Sequence, residues 1–263
     1  MKLFFRKSGE GFPLIILHGL FGMNDNWTSL AKRYAAEGFS VYLPDLRNHG
    51  QSPHDEVFTL EAMAADLLTF FETEHLEHSA LVGHSLGGKV AMYFACLHPE
   101  KISRLVVADI APRYYPPHHE SVLAGIHAVN LETTLSRSEA EKQMEKILPE
   151  AGVRQFLLKN LYWKEEATDP SKKKLAWRFN LPAIEGSIEN AGEALPENFS
   201  FGGPCLFIRG ERSDYITPRD YNTITGHFPQ AVIETVPKAG HWVHADNPDG
   251  FSAVLMKFLQ QPV

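Results

Sequence analysis

Between an apolar run, Ser79-Ala80-Leu81-Val82, and a stretch of helical spacing stands Gly83-His84-Ser85-Leu86-Gly87. After it, Val90, Ala91, Phe94, Ala95 and Leu97 recur at helical intervals up to Pro99, so the glycine-flanked serine marks a sharp turn from a buried strand into a helix. Such a turn holds its central residue in a strained conformation that only small neighbours permit, and it lifts the serine hydroxyl above the edge of a sheet. A chain carrying it is expected to build a sheet with helices packed against it. Gly83 to Lys89 also fits the opening of a phosphate loop, but the next position, where such a loop needs Ser or Thr for magnesium, is Val90.

The rest of the chain repeats the same rhythm. Leu14–Leu17, Ser40–Leu43, Ala80–Val82, Leu105–Ala108, Cys205–Ile208 and Val232–Val236 have the composition of strands. Helical patterns cover Trp27–Glu37, Leu60–His75, Leu86–His98 and Arg219–Phe228, and Asn247-Pro248-Asp249 caps a last helix carrying Phe251, Val254, Leu255, Phe258 and Leu259. This alternation predicts an α/β fold with a mostly parallel central sheet flanked by helices. From Pro112 to Phe201 the rhythm breaks and no strand is evident, so residues 112–201 are read as a helical cap inserted between two strands of a core made of 1–111 and 202–263. Its aromatic residues Phe156, Tyr162, Trp163, Trp177 and Phe179 either face a cleft or pack the cap onto the core.

Composition narrows the function classes. The 263 residues are 44% hydrophobic and 22% charged, which suits one soluble globular unit. A net charge of −7, with Lys172-Lys173-Lys174 as the only compact basic run, argues against a nucleic-acid partner; the run reads as a solvated face. The start, Met1-Lys2-Leu3-Phe4-Phe5-Arg6-Lys7, develops no apolar core of export-signal length, and no stretch is long enough to span a bilayer. With two cysteines, Cys96 and Cys205, read as packed thiols, the expected location is a reducing cytoplasm.

A serine at such a turn needs a base, because its hydroxyl is a poor nucleophile at neutral pH. Of thirteen histidines, His241 is the best candidate: Ala239-Gly240-His241-Trp242 forms a glycine-bearing loop after the last expected strand. His244 is the local competitor, read as a packing residue. An acid must then fix the imidazole tautomer. Asp214, beyond the strand Cys205–Ile208, is placed ahead of Asp109, which ends the preceding strand, and both are carried as candidates. Oxyanion donors are expected at the N–H of Leu86 and, in His18-Gly19-Leu20-Phe21-Gly22, at the N–H of Leu20, with Phe21 as fallback. His18 is read as a brace for that loop.

Taken together, these segments resemble the α/β-hydrolase superfamily, and within it the YbfF-type small carboxylesterases and related abhydrolase-domain proteins. The similarity runs nearly end to end. It is carried by His18–Gly22, Asp45-Leu46-Arg47-Asn48-His49-Gly50-Gln51-Ser52-Pro53, Gly83–Lys89, Asp109-Ile110-Ala111-Pro112, Trp177-Arg178-Phe179-Asn180 and Gly240-His241-Trp242-Val243-His244-Ala245-Asp246. The resemblance implies a serine esterase cleaving short acyl esters between core and cap. It needs no metal or organic cofactor, and its partner is a small-molecule ester. Some relatives of this type lack an aspartate matching Asp214 while retaining the one matching Asp109; this chain has both. Asn48 and His49 fall in a loop with a structural role. Thioesterase, acyltransferase or carbon–carbon hydrolase chemistry could use the same groups, and a ligand-sensing protein could use the same scaffold. Haloalkane dehalogenases and the usual epoxide hydrolases place a carboxylate where Ser85 stands.

Overall fold

A computed structural model describes residues 1–166 and 169–261. Seven strands form the main sheet: β1 (Phe5–Ser8), β2 (Phe12–Leu17), β3 (Phe39–Pro44), β4 (Ser79–His84), β5 (Ile102–Ala108), β8 (Cys205–Gly210) and β9 (Ala231–Val236). Their spatial order is β1-β3-β2-β4-β5-β8-β9. Only β1 runs antiparallel, against β3; every other pairing is parallel. All six expected strands fall inside this sheet.

Alternation along the strands divides the core into two faces. Ile15, Leu17, Leu81, Leu105 and Phe207 point to one side, where they meet α2 (Leu60–Thr73) and α3 (Leu86–Leu97). Leu14, Ile16, Val82, Leu206 and Ile208 point to the other. There α1 (Thr28–Ala36) contributes Leu30, Ala31 and Tyr34, and α10 (Pro248–Leu259) contributes Phe251, Leu255 and Phe258. Burial on both faces explains why the central strands β2, β3, β4, β5 and β8 read as apolar runs rather than as alternating ones. The Asn247 side chain accepts from Gly250 N–H at 2.9 Å, capping α10 as its sequence predicts.

Between β5 and its parallel neighbour β8 the chain leaves the sheet. This excursion holds α4 (Glu120–His127), α5 (Arg137–Glu145), α6 (Ala151–Leu158) and α7 (Leu181–Gly186). It is not helical throughout: β6 (Leu161–Glu166) and β7 (Asp169–Trp177) pair antiparallel as a separate two-stranded sheet. Its inner face is narrow, with Leu175 and Trp177 buried and Ala176 between them half-buried, which suits an antiparallel pair open to water on one side. The lysine run lies on this hairpin. Lys173 and Lys174 are exposed and reach Glu165 at 3.4 Å and Glu132 at 3.5 Å; the Lys172 side chain lies outside the described residues.

Both limbs of the excursion are tied to the elbow helix α3. Lys89, fully buried, donates from Nζ to the carbonyl of Arg113 on the outgoing limb and to that of Glu193 on the returning one, the latter at 2.6 Å. The limbs also bond to each other, Tyr115 N–H to Gly192 O and Leu195 N–H to Pro112 O, both at 2.8 Å. After β8 come α8 (Tyr221–His227), then β9 and the short α9 (Val243–Asp246) before α10.

Candidate active site

The ends of β2, β4, β5, β8 and β9 deliver their following loops to one rim, the carboxyl edge where parallel sheets place their ligands. At the tip of β4, Ser85 adopts φ 53° and ψ −118°, a region costing a side-chain-bearing residue about 1–3 kcal/mol. The flanking glycines make that turn possible. A Cβ on Gly83 would stand 2.2 Å from the carbonyl oxygen of Gly87, and one on Gly87 would stand 2.5 Å from that of Leu17. Val90, which ended the phosphate-loop reading, is fully buried.

His241 arrives from the loop after β9 and bridges two groups. Its Nε2 lies 3.0 Å from Ser85 Oγ and its Nδ1 lies 2.8 Å from Oδ2 of Asp109. The Asp109 carboxylate can only accept, so Nδ1 carries the proton and Nε2 is left to accept from the serine hydroxyl. Asp109 is fully buried and also takes Gly210 N–H at 3.0 Å and the Ser213 hydroxyl. Asp214, placed first from the sequence, is exposed and makes no hydrogen bond to His241. The reason is local: Ser213 N–H closes a turn onto Gly210 O, which brings Ser213 to Asp109 and leaves the next side chain facing solvent. His244 stacks on Trp27 with ring centroids 3.9 Å apart, and burial lowers its pKa to about 3; it is a packed neutral ring away from the serine.

The loop after β2 is shaped by two more neutral histidines. His18 donates from Nδ1 to Gly19 O at 2.8 Å and accepts Leu46 N–H on Nε2 at 3.0 Å. His49 donates from Nδ1 to Arg47 O at 2.9 Å and accepts Phe21 N–H on Nε2 at 3.1 Å. Burial lowers the first to a pKa of about 4; burial and the nearby His18 lower the second to about 3. Because Phe21 N–H already serves His49, the fallback oxyanion donor is occupied; Leu20 lines the cleft beside Ser85 and Leu86. Asn48, at φ 64°, accepts from Asp55 N–H at 2.8 Å and from Asn180 Nδ2 at 3.1 Å, and its carbonyl takes Asn180 N–H at 2.9 Å, fastening the loop after β3 to the start of α7.

Three contacts have no counterpart in the sequence reading. Tyr215 lies flat on the His241 imidazole, centroids 3.8 Å apart and planes 18° apart, and its hydroxyl bonds His118. Ser213 supplies the hydroxyl on Asp109. His84, inside the elbow, holds the His241 carbonyl from Nε2 at 2.9 Å. All three sit within two residues of positions singled out by motif, which is the signal available beforehand. Of the five aromatics of the excursion, Phe156 lines the cleft and meets Trp242, whereas Trp177 stacks on Phe179, which packs against Phe21. Trp163 is half exposed and Tyr162 lies under Arg178. Among the described residues no group of three or more His, Cys, Asp or Glu side chains is arranged to hold a metal ion.

Comparison with known proteins identifies the family. The alpha/beta hydrolase fold family matches residues 13–248. The chain belongs to that family. This hydrolase is 39% identical to the sn-1-specific diacylglycerol lipase ABHD11 of Danio rerio over 97% of its own length and 81% of the relative's. It is 35% identical to Esterase YbfF of Escherichia coli (strain K12), covering 94% of this chain and 92% of that one. Among solved structures, a marine microorganism esterase superposes with a TM-score of 0.91 at 40% identity, over 98% and 99% of the two chains. The hydrolase is therefore an enzyme of the esterase and lipase type.

Proposed function

We propose that this hydrolase is a serine carboxylesterase acting on short-chain acyl esters through an acyl-enzyme on Ser85. The observation that carries the reading is the hydrogen-bonded chain from Ser85 Oγ through His241 to buried Asp109. His241 Nε2 takes the hydroxyl proton as Oγ attacks the acyl carbon, and Asp109 holds the tautomer and stabilises the imidazolium that forms. The N–H groups of Leu20 and Leu86 receive the negative carbonyl oxygen; losing one such donor costs about 3 kcal/mol. The imidazolium then protonates the departing alkoxide, the acyl–Oγ bond remains, and a water deprotonated by His241 releases the acid. The relatives' names, an esterase and a diacylglycerol lipase, support the ester as substrate class.

In this reading residues 112–201 act as a cap over a core of 1–111 and 202–263. The free thiols Cys96 and Cys205 suit a reducing cytoplasm, and no described helix is long and apolar enough to cross a membrane. The test is covalent labelling by a serine-directed organophosphonate combined with turnover of short p-nitrophenyl esters. The expected result is many turnovers per chain and labelling that disappears in Ser85→Ala. A single stoichiometric burst, or labelling that survives the substitution, would overturn the reading.

A further inference from the structure

At Tyr115 the excursion between β5 and β8 meets the loops that carry the site. Its side chain is buried and packs against two neighbours: the Arg113 guanidinium carbon lies 3.8 Å from the ring centroid, and Tyr215 stacks on the ring with centroids 5.4 Å and planes 23° apart. Tyr215 in turn lies flat on His241, centroids 3.8 Å apart. Three side chains thus run in series from the outgoing limb of the excursion to the imidazole beside Ser85, each contact of a kind that favours a fixed mutual orientation.

The Tyr115 hydroxyl grips the same partner at a second point. It donates to the Tyr215 carbonyl and accepts Ala111 N–H at 2.9 Å, joining the loop after β8 to the chain two residues beyond Asp109. Burial pushes the pKa of this hydroxyl well above its ordinary range, so it keeps the proton that the donation needs. Tyr115 is itself fixed from the excursion. Its N–H bonds Gly192 O on the returning limb at 2.8 Å, Lys89 Nζ stands 5.0 Å from its ring centroid, and Arg113 Nε bonds Asp220 Oδ1 at 2.7 Å. Within its own loop Tyr215 has a longer tie, from its N–H to Ser213 Oγ at 3.3 Å.

Resting on the Ser85–His241–Asp109 mechanism proposed above, we infer that Tyr115 is a positioning residue that seats Tyr215 against His241 and so ties the orientation of the base to the seating of the excursion on the core. A general base works only when it is held within about 0.5 Å of its productive place, by side chains that are themselves locked. Tyr115 locks Tyr215 by ring and by carbonyl at once. Acting through Tyr215, it can contribute no more to kcat than the Tyr215 ring does, which sets an upper bound on its effect.

A double-mutant cycle on kcat for a short p-nitrophenyl ester separates this role from a purely structural one. Tyr115→Phe keeps the ring and removes both hydroxyl bonds; it should lower kcat about threefold or more in the wild-type background and less than about 1.5-fold in a Tyr215→Leu background. Arg113→Ala, at a partly exposed side chain, leaves the hydroxyl in place and should show the same dependence on Tyr215 with about a twofold loss, so the cycle closes even if Tyr115→Phe does not fold. Equal factors in the two backgrounds overturn the inference, because Tyr115 would then act through Ala111 or through stability alone. An unchanged kcat in folded Tyr115→Phe overturns it as well. Wild-type turnover that persists in Ser85→Ala would instead reject the triad mechanism itself.

Discussion

The electrostatics of one buried carboxylate govern the proposed chemistry. Asp109 receives three hydrogen bonds, from Gly210, Ser213 and His241. Asp109→Asn would offer an N–H to the imidazole and trap the wrong tautomer, so kcat should fall by about four orders of magnitude, as it does for the orienting acid of other triads. Asp214→Asn, on an exposed side chain, should change kcat by less than about threefold; the reverse pattern, with both proteins folded by circular dichroism, would move the acid role to Asp214. Tyr215 offers a second test. A ring face 3.8 Å from the imidazole stabilises the imidazolium by about 0.5–2 kcal/mol, so Tyr215→Leu should lower kcat by about 2- to 30-fold while Tyr215→Phe keeps most of the activity. Equal losses in the two variants would show that the hydroxyl bond to His118, not the ring, matters. The sequence pointed directly to Ser85 and His241 because each stands in a glycine-bearing loop at a strand end. It placed Asp214 ahead of Asp109, whereas the structure brings Asp109 to His241, because each follows a strand and only the turn closed by Ser213 on Gly210 decides which one faces inward.

Elements with apolar runs were the legible ones, the central strands because they are buried on both sides and the edge strand β9 although most of it is not buried. The strands from β2 to β9 in the main sheet carry enough consecutive Val, Ile and Leu to stand out, whereas β1, Phe-Arg-Lys-Ser, is short, antiparallel and solvent-facing, so its residues carry no apolar run. The β6–β7 hairpin was hidden for a related reason: charges dominate its outer face, and Lys172-Lys173-Lys174 has the look of a solvated surface in any secondary structure. At the elbow, by contrast, local sequence and local geometry are the same statement. Gly83→Ala would force a methyl group to 2.2 Å from the Gly87 carbonyl, and overpacking of that kind costs about 1–3 kcal/mol. The expected result is a lower urea midpoint together with weaker phosphonate labelling. Gly226→Ala, in α8 with open space at its Cβ position, should raise stability by about 0.5–1 kcal/mol. If the two substitutions shifted the midpoint alike, close packing at the elbow would not be what fixes the turn.

Across the whole molecule, the rim that carries the site is assembled around imidazoles that must stay neutral. His18 and His49 each accept a backbone N–H on Nε2, which a protonated ring cannot do. Burial, the largest cause in each case, lowers His18 to about 4 and His49 and His244 to about 3, from an ordinary value of 6.5. The consequence for stability has a definite sign. Above pH 6.5 these rings are neutral in both folded and unfolded chains and stability is unaffected by them. Between pH 6.5 and about 4 the unfolded chain binds protons that the folded one refuses, so stability falls as the medium becomes acidic. At pH 5 each ring costs about 2 kcal/mol, and the three together about 6 kcal/mol, comparable with the whole stability of a typical domain, about 5–15 kcal/mol. The urea midpoint should therefore hold level from pH 8 to 7 and drop steeply between pH 6.5 and 5, before ordinary carboxylates begin to titrate. Loss of the fold in that window would remove the Leu20 loop and the serine elbow together, because His18 and His49 tie the loop after β2 to the loop after β3 and His84 ties the elbow to the loop after β9. A midpoint that stays level down to pH 5 would mean that those rings are reached by water in the folded chain.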